Sequence, residues 1–536
     1  MFTKEVTQKN KDGSTRKYLY LMESRRVDGK PRHFMLVNLG RIDSDEGKEK
    51  LESLTEALLK ASSKFEIFDA AKNLQGDWSK EFGPALVFKR LWEELGLGKV
   101  LTSELKDLKT QFETEQAVFN MVLNRLTEPG SKRQLCLWQD NTYGINSFEE
   151  HQYYRAMDHL IEHKDKIELG IFDSMRNLFN QEIDVCLFDT TTLVYYGDSE
   201  KHEKLLQRGF SKVKRGDLKQ VVVGIIMSKD GVPLGHEVFS GNTNDVQCFK
   251  EIIEKVSEKF KIRKVVLVGD RGMISQKNID HLESKKFEYI LGYRMRTISK
   301  EERHKIFSHA DLKEVRKNLQ FKELNYKGNR LFICFNPERA ELDKNHREDI
   351  LEKIRKRIRD GSILSVISNK DYKRFLKIEG KKPKLDDVKI SQDEIYDGVY
   401  VLTSNTELKP EAIIDSYRDL WQVEQAFRQL KSEIEMGPIF HWKDRRIKAH
   451  IMICFLALIL RNTFYKELKA ISKDASYPEV INDLKQLQAL GLKIKNKNVI
   501  LRTELKAGAS LAFKAIGMRP PEKILLDEAQ NVCIRL

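Results

Sequence analysis

The pattern of apolar and polar residues divides the first part of the chain into two segments. Residues 1–60 contain alternating stretches at 18–21 and 34–37, separated by turn-forming residues at 28–31, and this pattern predicts a small β unit. From residue 61 to residue 180 the apolar positions recur every three or four residues, which is typical of amphipathic helices. The sequence therefore predicts a β unit followed by a helical region.

The pattern changes again near residue 181. Apolar runs at 185–188, 221–226 and 265–268 are typical of buried strands, and a helical pattern covers 246–260. Strands that alternate with amphipathic helices indicate an α/β sheet. We therefore expect the fold class α/β, with residues 181–290 forming the first part of the core.

Charge distinguishes residues 291–398 from the rest of the chain. This stretch has 27 Lys+Arg and 19 Asp+Glu, a net charge of +8 out of the total of +14. We expect a basic inserted module here, followed by a return strand and a long helix at 399–440 and a helical region at 441–536. A basic protein of this kind is suited to an acidic polymer such as nucleic acid, because its cations release counterions from phosphates.

Several classes of protein do not fit the sequence. The longest apolar run, 451–460, has ten residues and predicts a buried helix, whereas a membrane span needs roughly 18. We expect no membrane partner and, since the N-terminus does not resemble a secretory signal, a cytoplasmic location. The six cysteines form no C-x-x-C pair, and the chain has no Walker loop, dinucleotide-binding glycine motif or His-Glu-x-x-His motif.

Three carboxylates occupy positions suited to chemistry. Asp189 follows the strand at 185–188 and Asp270 follows the strand at 265–269. Parallel neighbouring strands would bring both to the same edge of the sheet. Glu424 lies on the polar face of the helix predicted at 410–435. The alternatives are turn residues for the two aspartates and an exposed face with weak ion pairs for the glutamate.

Together these acids would form an oxygen-rich site for Mg²⁺, with Mn²⁺ as a substitute. Two such ions can assist phosphoryl transfer by binding the attacking and leaving oxygens. On the same helix face, Arg428 and Lys431 could hold phosphates, and Tyr417 or Trp421 could pack on sugars or bases. The basic pair at 132–133 is either a DNA contact or a solvated loop end.

In these motifs the sequence resembles the DDE transposases of bacterial insertion sequences, in the superfamily usually called IS-four. The matching segments are 188–191, 217–220, 241–245, 269–273 and 417–431. The last segment resembles the family signature Tyr-x-x-Arg-x-x-x-Glu-x-x-x-x-x-x-Lys. Here Leu420 occupies the arginine position, and Arg418 or Arg428 is the candidate to supply the cation.

The resemblance implies an RNase H-like catalytic core interrupted by a mostly β insertion, with helical N-terminal and C-terminal regions. It implies that Asp189, Asp270 and Glu424 bind two divalent ions and that residues 61–180 bind DNA ends. In relatives a tryptophan of the insertion stacks on a flipped base. Since residues 291–398 contain no tryptophan, either Tyr326, Phe332 or Phe335 replaces it or base flipping is absent. The residues assigned to DNA binding are Tyr417, Arg418, Trp421, Arg428, Lys431, Lys219 and Arg271.

The leading hypothesis is a cut-and-paste enzyme that cleaves element ends and joins the 3′-hydroxyl groups to target DNA. Its partners would be double-stranded DNA, namely the terminal inverted repeats and the target, and a second copy of the chain in a synaptic homodimer. A helical contact within 484–505 is the candidate dimer interface, and the location would be the bacterial cytoplasm, on the nucleoid. The alternatives are an RNase H-like nuclease or resolvase without strand transfer and an inactive DNA-binding relic.

Overall fold

A computed structural model of the protein describes residues 2–27, 30–61, 75–106, 110–179, 185–197, 204–210, 215–259, 266–270, 272, 275–308, 311–360, 369–379, 382–494 and 497–526. The chain forms two compact units. The first contains residues 1–81, 486–505 and 520–536, and the second contains residues 82–485 and 506–519.

The described strands are β1 (Phe2–Lys9), β2 (Thr15–Val27), β3 (Lys30–Arg41), β4 (Gln75–Glu81), β5 (Val185–Val194), β6 (Gln220–Ser228), β7 (Pro233–Ser240), β8 (Val266–Gly269), β9 (Glu288–Gly292), β10 (Lys313–Arg316), β11 (Leu319–Tyr326), β12 (Asn329–Phe335), β13 (Leu376–Glu379), β14 (Lys382–Leu385), β15 (Val399–Ser404), β16 (Gln488–Ile494), β17 (Lys497–Arg502) and β18 (Ile524–Leu526). The described α-helices are α1 (Asp45–Ala61), α2 (Gly83–Glu94), α3 (Leu97–Leu105), α4 (Thr114–Thr127), α5 (Lys132–Asp140), α6 (Glu150–Glu162), α7 (Lys164–Phe179), α8 (Asp245–Lys259), α9 (Gln276–Ser284), α10 (Lys300–Ile306), α11 (Pro337–Arg359), α12 (Lys370–Lys373), α13 (Asp387–Glu394), α14 (Pro410–Arg418), α15 (Trp421–Ser432), α16 (Asp444–Ile471), α17 (Tyr477–Lys485) and α18 (Ala507–Ala515).

The first unit contains two antiparallel sheets. One has the order β1-β2-β3 and is followed by α1, and the other has the order β18-β17-β16-β4. The helical dimer contact expected within 484–505 is therefore wrong, because β16 and β17 form a hairpin there. Burial alternates along β16, where Ala489 and Gly491 are buried, and this period of two is that of a strand. A side chain at Gly491 would collide with the indole of Trp78 on β4, so this close approach requires glycine.

The second unit is built on a nine-stranded mixed sheet in the order β10-β11-β12-β15-β9-β8-β5-β6-β7. Strands β5, β6 and β7 are antiparallel, whereas β8 runs parallel to both β5 and β9. Apolar side chains of β5, α8 and α9, including Phe188, Phe249 and Leu282, form one buried cluster. The predicted α/β class is confirmed as a mixed α/β fold with helices packed on a large sheet.

The segment 291–398 differs from the mostly β insertion that the resemblance implies. Its strands β10, β11 and β12 continue the main sheet by pairing with β15. The longest described element in the segment is α11, a helix of 23 residues. Its sequence is rich in Glu, Lys and Arg, which favour helices, and Ile350, Leu351 and Ile354 form a narrow buried face. The expectation of a mostly β insertion is therefore wrong for the described residues.

Helices α2 to α7 lie within the region predicted to be helical, which also contains the strand β4. Helix α16 packs against α4, α6 and β7. Of the described helices, α16 alone is long and apolar enough to cross a membrane, but 83% of its most apolar stretch is buried inside the protein. The prediction that residues 451–460 form a buried helix is confirmed, and the structure extends this helix to 28 residues.

Candidate active site

Asp189 and Asp270 lie at equivalent positions on two adjacent parallel strands. The register of β5 and β8 runs from Val185 opposite Val266 to Phe188 opposite Gly269, so each aspartate follows the last pair. Strand β8 ends there, but β5 continues beyond Asp189 as the antiparallel partner of β6. The prediction that Asp189 ends its strand is therefore wrong. The buried β-branched threonines at 190–192 favour continued pairing with β6.

Hydrogen bonds fix the carboxylates of both aspartates. The backbone N–H of Thr190 donates to Asp189 Oδ1 at 2.6 Å, and the Thr190 hydroxyl donates to Asp245 Oδ1 at 2.5 Å. Asp189 is half-buried, whereas Asp270 is exposed. The hydroxyl of Tyr417 donates to Asp270 Oδ1 at 3.2 Å. The carboxylate of Asp189 is therefore held by the next residue of its own strand, and that of Asp270 is held by a tyrosine of α14.

The long helix predicted at 410–435 is two helices, α14 and α15, so the prediction of one continuous helix is wrong. At the junction, the N–H of Leu420 donates to the carbonyl of Tyr417, and the N–H of Val423 donates to the carbonyl of Leu420. These bonds span three residues rather than four, which is the tighter winding of a 3₁₀ turn. The turn lies between the segment that carries Tyr417 and the segment that carries Glu424.

The two predicted faces of α15 are present in the structure. Val423, Phe427 and Leu430 are buried, as expected for the face that packs on the protein. The opposite face is exposed and carries Trp421, Glu424, Arg428 and Lys431. The helical spacing of three and four therefore places Glu424 on the solvent side of the helix.

All three acids line one cavity of about 600 Å³ in the second unit. We call Asp189, Asp270 and Glu424 the cavity acids. Tyr417, Arg418 and Trp421, which the sequence analysis assigns to DNA binding, also line this cavity. The remaining lining residues are Arg316, Lys317, Asn318, Leu319, Asn336, Glu338, Tyr400 and Leu420.

The tip of the hairpin β10–β11 is a part of the cavity that the sequence analysis missed. Arg316, Lys317 and Asn318 line the cavity from this tip, where Asn318 adopts a positive φ of 69°. Arg316 Nη2 donates to Asp415 Oδ1 on α14 at 2.7 Å, and Asn318 Nδ2 donates to Glu338 Oε1 on α11 at 2.5 Å. The signals in the sequence were the basic composition of 291–398 and an asparagine at a turn, and neither located the tip beside the acids.

Two aromatic side chains have distinct environments at the cavity. The ring of Tyr417 is nearly parallel to that of Tyr400, with centroids 6.2 Å apart and an interplanar angle of 15°. Burial raises the pKa of Tyr400 far above its usual range, and the nearby thiol of Cys334 adds to the shift. The side chain of Trp421 is 53% exposed. An exposed indole beside the acids offers a flat apolar surface for stacking.

The aromatic residues proposed as substitutes for the tryptophan of the insertion lie elsewhere. Tyr326 and Phe332 are buried, and neither they nor Phe335 line the cavity. The hydroxyl of Tyr326 donates to Glu302 Oε2 at 2.9 Å. These two buried rings contribute to packing, so the exposed aromatic side chain at the cavity comes from α15 instead.

Three other residues assigned to DNA binding are described and do not line the cavity. Arg428 and Lys431 are exposed on α15, one to two turns beyond Glu424, and Lys219 is half-buried before β6. Arg271 lies outside the described residues. Of the basic pair at 132–133, Lys132 is buried, and burial together with the charge of Arg125 lowers its pKa to about 7. The solvated-loop interpretation is therefore wrong for Lys132.

A second group of carboxylates lies away from the cavity. Among the described residues, Asp165, Glu168 and Glu237 are the group of three whose oxygens all lie within 4.8 Å of one another. Lys164 Nζ lies 2.9 Å from Glu168 and 3.0 Å from Glu237. We call these four residues the lysine cluster. An ammonium group already occupies the position between the carboxylates that a cation would take.

Comparison with known proteins identifies two families along the chain. Residues 3–71 match the N-terminal domain of IS1634 family transposases, and residues 180–460 match the transposase DDE domain. The chain is similar to a piggyBac transposase synaptic complex with hairpin DNA, with 11% identity, 75% of this chain and 79% of the other covered and a TM-score of 0.36. It is also similar to the Mos1 transposase paired-end complex with the left transposon end, with 11% identity, coverage of 34% and 60% and a TM-score of 0.15. A search of curated proteins finds no match. Because the DDE domain covers more than half of its residues, the chain belongs to the DDE transposases.

Proposed function

We propose that this chain cleaves the ends of an insertion sequence and joins the freed 3′-hydroxyl groups to target DNA, with the cavity acids as metal ligands. The observation that carries the proposal is that three carboxylates, from two adjacent parallel strands and a helix, line one cavity. The alternative of a nuclease without strand transfer uses the same acids, so only the reaction products separate the two.

The donor set fits hard divalent cations. Carboxylate oxygens are the ligands that Mg²⁺ and Mn²⁺ prefer, and all three cavity acids line the same open cavity. Two bound ions would polarise the attacking oxygen and stabilise the leaving oxygen of the phosphodiester. Thr190 and Tyr417 orient the carboxylates of Asp189 and Asp270 for this task.

Cations at the rim of the cavity are suited to the DNA backbone. Arg316 and Lys317 lie at the hairpin tip, and Arg418 ends α14. These groups can contact phosphates on either side of the scissile bond and so position the strand. The exposed indole of Trp421 can stack on a base or a sugar at the same place. Because Arg418 lines the cavity and Arg428 does not, we assign the cation missing from the family signature to Arg418.

The strand arrangement supports the RNase H-like core. The antiparallel series β5, β6 and β7 is followed by β8 and β9, which run parallel to β5. Asp189 and Asp270 follow the last paired residues of the parallel strands β5 and β8, and the carboxyl ends of parallel strands are where α/β sheets bind ligands. The IS-four variant with a leucine in its signature agrees with Leu420 at the turn between α14 and α15.

Replacement of single acids tests the proposal. Asp189→Asn, Asp270→Asn and Glu424→Gln remove one charge each at nearly constant volume. Each should reduce cleavage of a duplex containing the element end by about a thousandfold or more in Mg²⁺, because transition-state charge is no longer stabilised. Binding of the same duplex, followed by fluorescence anisotropy, should change less than about threefold.

The matched control is Glu411→Gln, an exposed acid in the first turn of α14 that does not line the cavity. It should cleave at the wild-type rate. Full activity of Glu424→Gln would refute the site assignment. Cleavage without any joined product, in the presence of target DNA, would favour the nuclease alternative.

We also propose that the active form is a homodimer on paired ends, in the bacterial cytoplasm. Transposition joins two ends at one target, so two active sites must be held at a fixed separation, and a symmetric pair is the simplest arrangement. Light scattering of the DNA-bound complex should give the mass of two chains and two ends. One chain on two cleavage-competent ends would contradict the dimer.

A further inference from the structure

The sheet β1-β2-β3 has two faces of different chemistry. Residues opposite each other in antiparallel strands share a face, and neighbours along a strand lie on opposite faces. Lys4 pairs with Tyr20, Val6 pairs with Tyr18, and Gln8 pairs with Arg16, so all three partners are even positions of β2. These residues and the other even positions of β2 therefore form one face, which we call the tyrosine face.

Both faces carry exposed cations, but they differ in their carboxylates. Lys4, Arg16 and Arg26 lie on the tyrosine face, and all three side chains are exposed. The carboxylates within the three strands are Glu5 and Glu23, and both lie on the opposite face. Glu5 pairs with Leu19, an odd position of β2, and Glu23 is itself an odd position of β2. Among the described residues of these strands, the tyrosine face thus carries cations without a carboxylate.

The centre of the tyrosine face is polar and aromatic. Tyr18 and Tyr20 are half-buried, and Gln8 Nε2 donates to the Tyr20 hydroxyl at 3.4 Å. Arg16 and Arg26 are ten residues apart on β2, a distance of about 33 Å along a strand, which is close to one turn of a DNA duplex. The face can therefore place cations on phosphates at both ends while hydroxyl and amide groups approach the base edges.

The β unit at residues 1–60 and the helical region at residues 61–180 differ in the sign of their net charge. Residues 1–60 have 13 Lys+Arg and 10 Asp+Glu, whereas residues 61–180 have 15 Lys+Arg and 19 Asp+Glu. The region that the sequence analysis assigns to DNA ends therefore repels phosphates overall, and the β unit attracts them. We propose that the tyrosine face binds duplex DNA of the element end; the identity of that DNA rests on the proposed function.

Two triple variants of the full chain test the assignment. Lys4→Ala/Arg16→Ala/Arg26→Ala removes cations of the tyrosine face. The control, Lys9→Ala/Lys17→Ala/Arg32→Ala, removes three exposed cations of the opposite face and gives the same change in net charge. Binding is followed by fluorescence anisotropy between 50 and 300 mM salt. The probes are a duplex with the sequence that flanks the coding region and a shuffled duplex of equal composition.

The tyrosine-face variant should bind the flanking duplex about 10- to 100-fold more weakly near 150 mM salt, and its salt slope should fall by about 2.7, since each lost phosphate contact contributes about 0.9. The control should stay within about twofold of wild type. Equal losses in both variants, or no loss in either, would overturn the assignment. Wild type that binds the flanking duplex without cutting it would refute the proposed function and leave this assignment intact.

Discussion

Two groups of three carboxylates in the second unit differ in what neutralises them. In the lysine cluster, Glu168 is almost fully buried, and Lys164 Nζ lies at ion-pair distance from both it and Glu237. The cavity acids instead line an open cavity of about 600 Å³ with cations at its rim. The tighter group of acids is therefore a closed ion-pair network, and the looser group is the one that can accept a cation from solution.

Proximity of carboxylates does not by itself identify a metal site. Burial alone would lower the pKa of Lys164, but the charges of Glu168 and Glu237 outweigh it and raise the pKa. Burial would raise the pKa of Glu237, but Lys164 and Lys255 outweigh it and lower the pKa. Each partner thus holds the other in its charged form.

Removal of the central ammonium group should have the largest effect on stability. Lys164→Met removes the ammonium partner of Glu168 and leaves Glu237 with Lys255 alone, which should lower the free energy of unfolding by about 3–5 kcal/mol. Urea denaturation would measure the loss. Lys255→Met is the control, because Lys255 is half exposed and contacts only the edge of the cluster through Glu237. A loss of less than about 1 kcal/mol in Lys164→Met would show that the network is not structural.

The same variant should convert the lysine cluster into a cation site. Without the ammonium group, three carboxylates with oxygens within 4.8 Å of one another remain. At a free Ca²⁺ concentration ten times its dissociation constant, binding should stabilise the variant by about 1.4 kcal/mol. Thermal unfolding with and without Ca²⁺ would measure this, in a background of Asp189→Asn and Asp270→Asn so that the cavity does not contribute. If Ca²⁺ stabilised the Asp189→Asn/Asp270→Asn protein that retains Lys164 by the same amount, the lysine cluster would not be the site of Ca²⁺ binding.

The lysine cluster should also make stability depend on pH through His236. Burial lowers the pKa of His236, although Glu168, 2.7 Å away, opposes the shift. Because the unfolded chain binds this proton more readily, the contribution of His236 to stability is full above the ordinary histidine pKa near 6.5. It is lost as the pH falls from there to the lowered pKa of the folded state, with a slope of at most about 1.4 kcal/mol per pH unit. Urea unfolding at pH 7.0 and 5.5 should show a smaller loss for His236→Gln than for wild type. Equal losses would exclude His236 as the cause.

Replacement of a cavity acid should have the smallest effect on stability, in contrast to the replacement of Lys164 in the lysine cluster. Asp270→Asn removes an exposed charge but keeps an oxygen to accept the hydrogen bond from Tyr417. The free energy of unfolding should change by less than about 1 kcal/mol, since surface substitutions of this kind cost little. Thermal unfolding in the absence of divalent ions would measure it. A loss comparable to that of Lys164→Met would remove the distinction between the two groups.

The sequence predicted local elements better than their connections. The helical pattern at 246–260 matches α8, Asp245–Lys259, because the signal lies within one amphipathic segment. The continuation of β5 was missed, since pairing with β6, rather than the end of the apolar run, determines its length. The turn at Leu420 was missed because leucine is a strong helix former and carries no stop signal.

The acids of the candidate site and the neighbouring Tyr417, Arg418 and Trp421 were predicted from motifs, but the hairpin tip that faces them was not. Arg316 and Asp189 are separated by more than a hundred residues, and the register of the whole sheet determines their proximity to one cavity. No local pattern encodes that register. Lys132 illustrates the same limit, because a lysine at the start of a polar helix is buried only through its tertiary neighbours.

The position of Asp189 inside β5 constrains how the length of the chain can vary. Side chains of a strand alternate between faces, so inserting or deleting one residue between Val185 and Asp189 would exchange the places of Asp189 and Phe188. The carboxylate would enter the apolar cluster around Phe249, and the phenyl ring would face the cavity. Length variants of this enzyme should therefore be excluded from residues 185–189, while the hairpin β13–β14, a separate two-stranded sheet, can gain or lose residues without moving an acid.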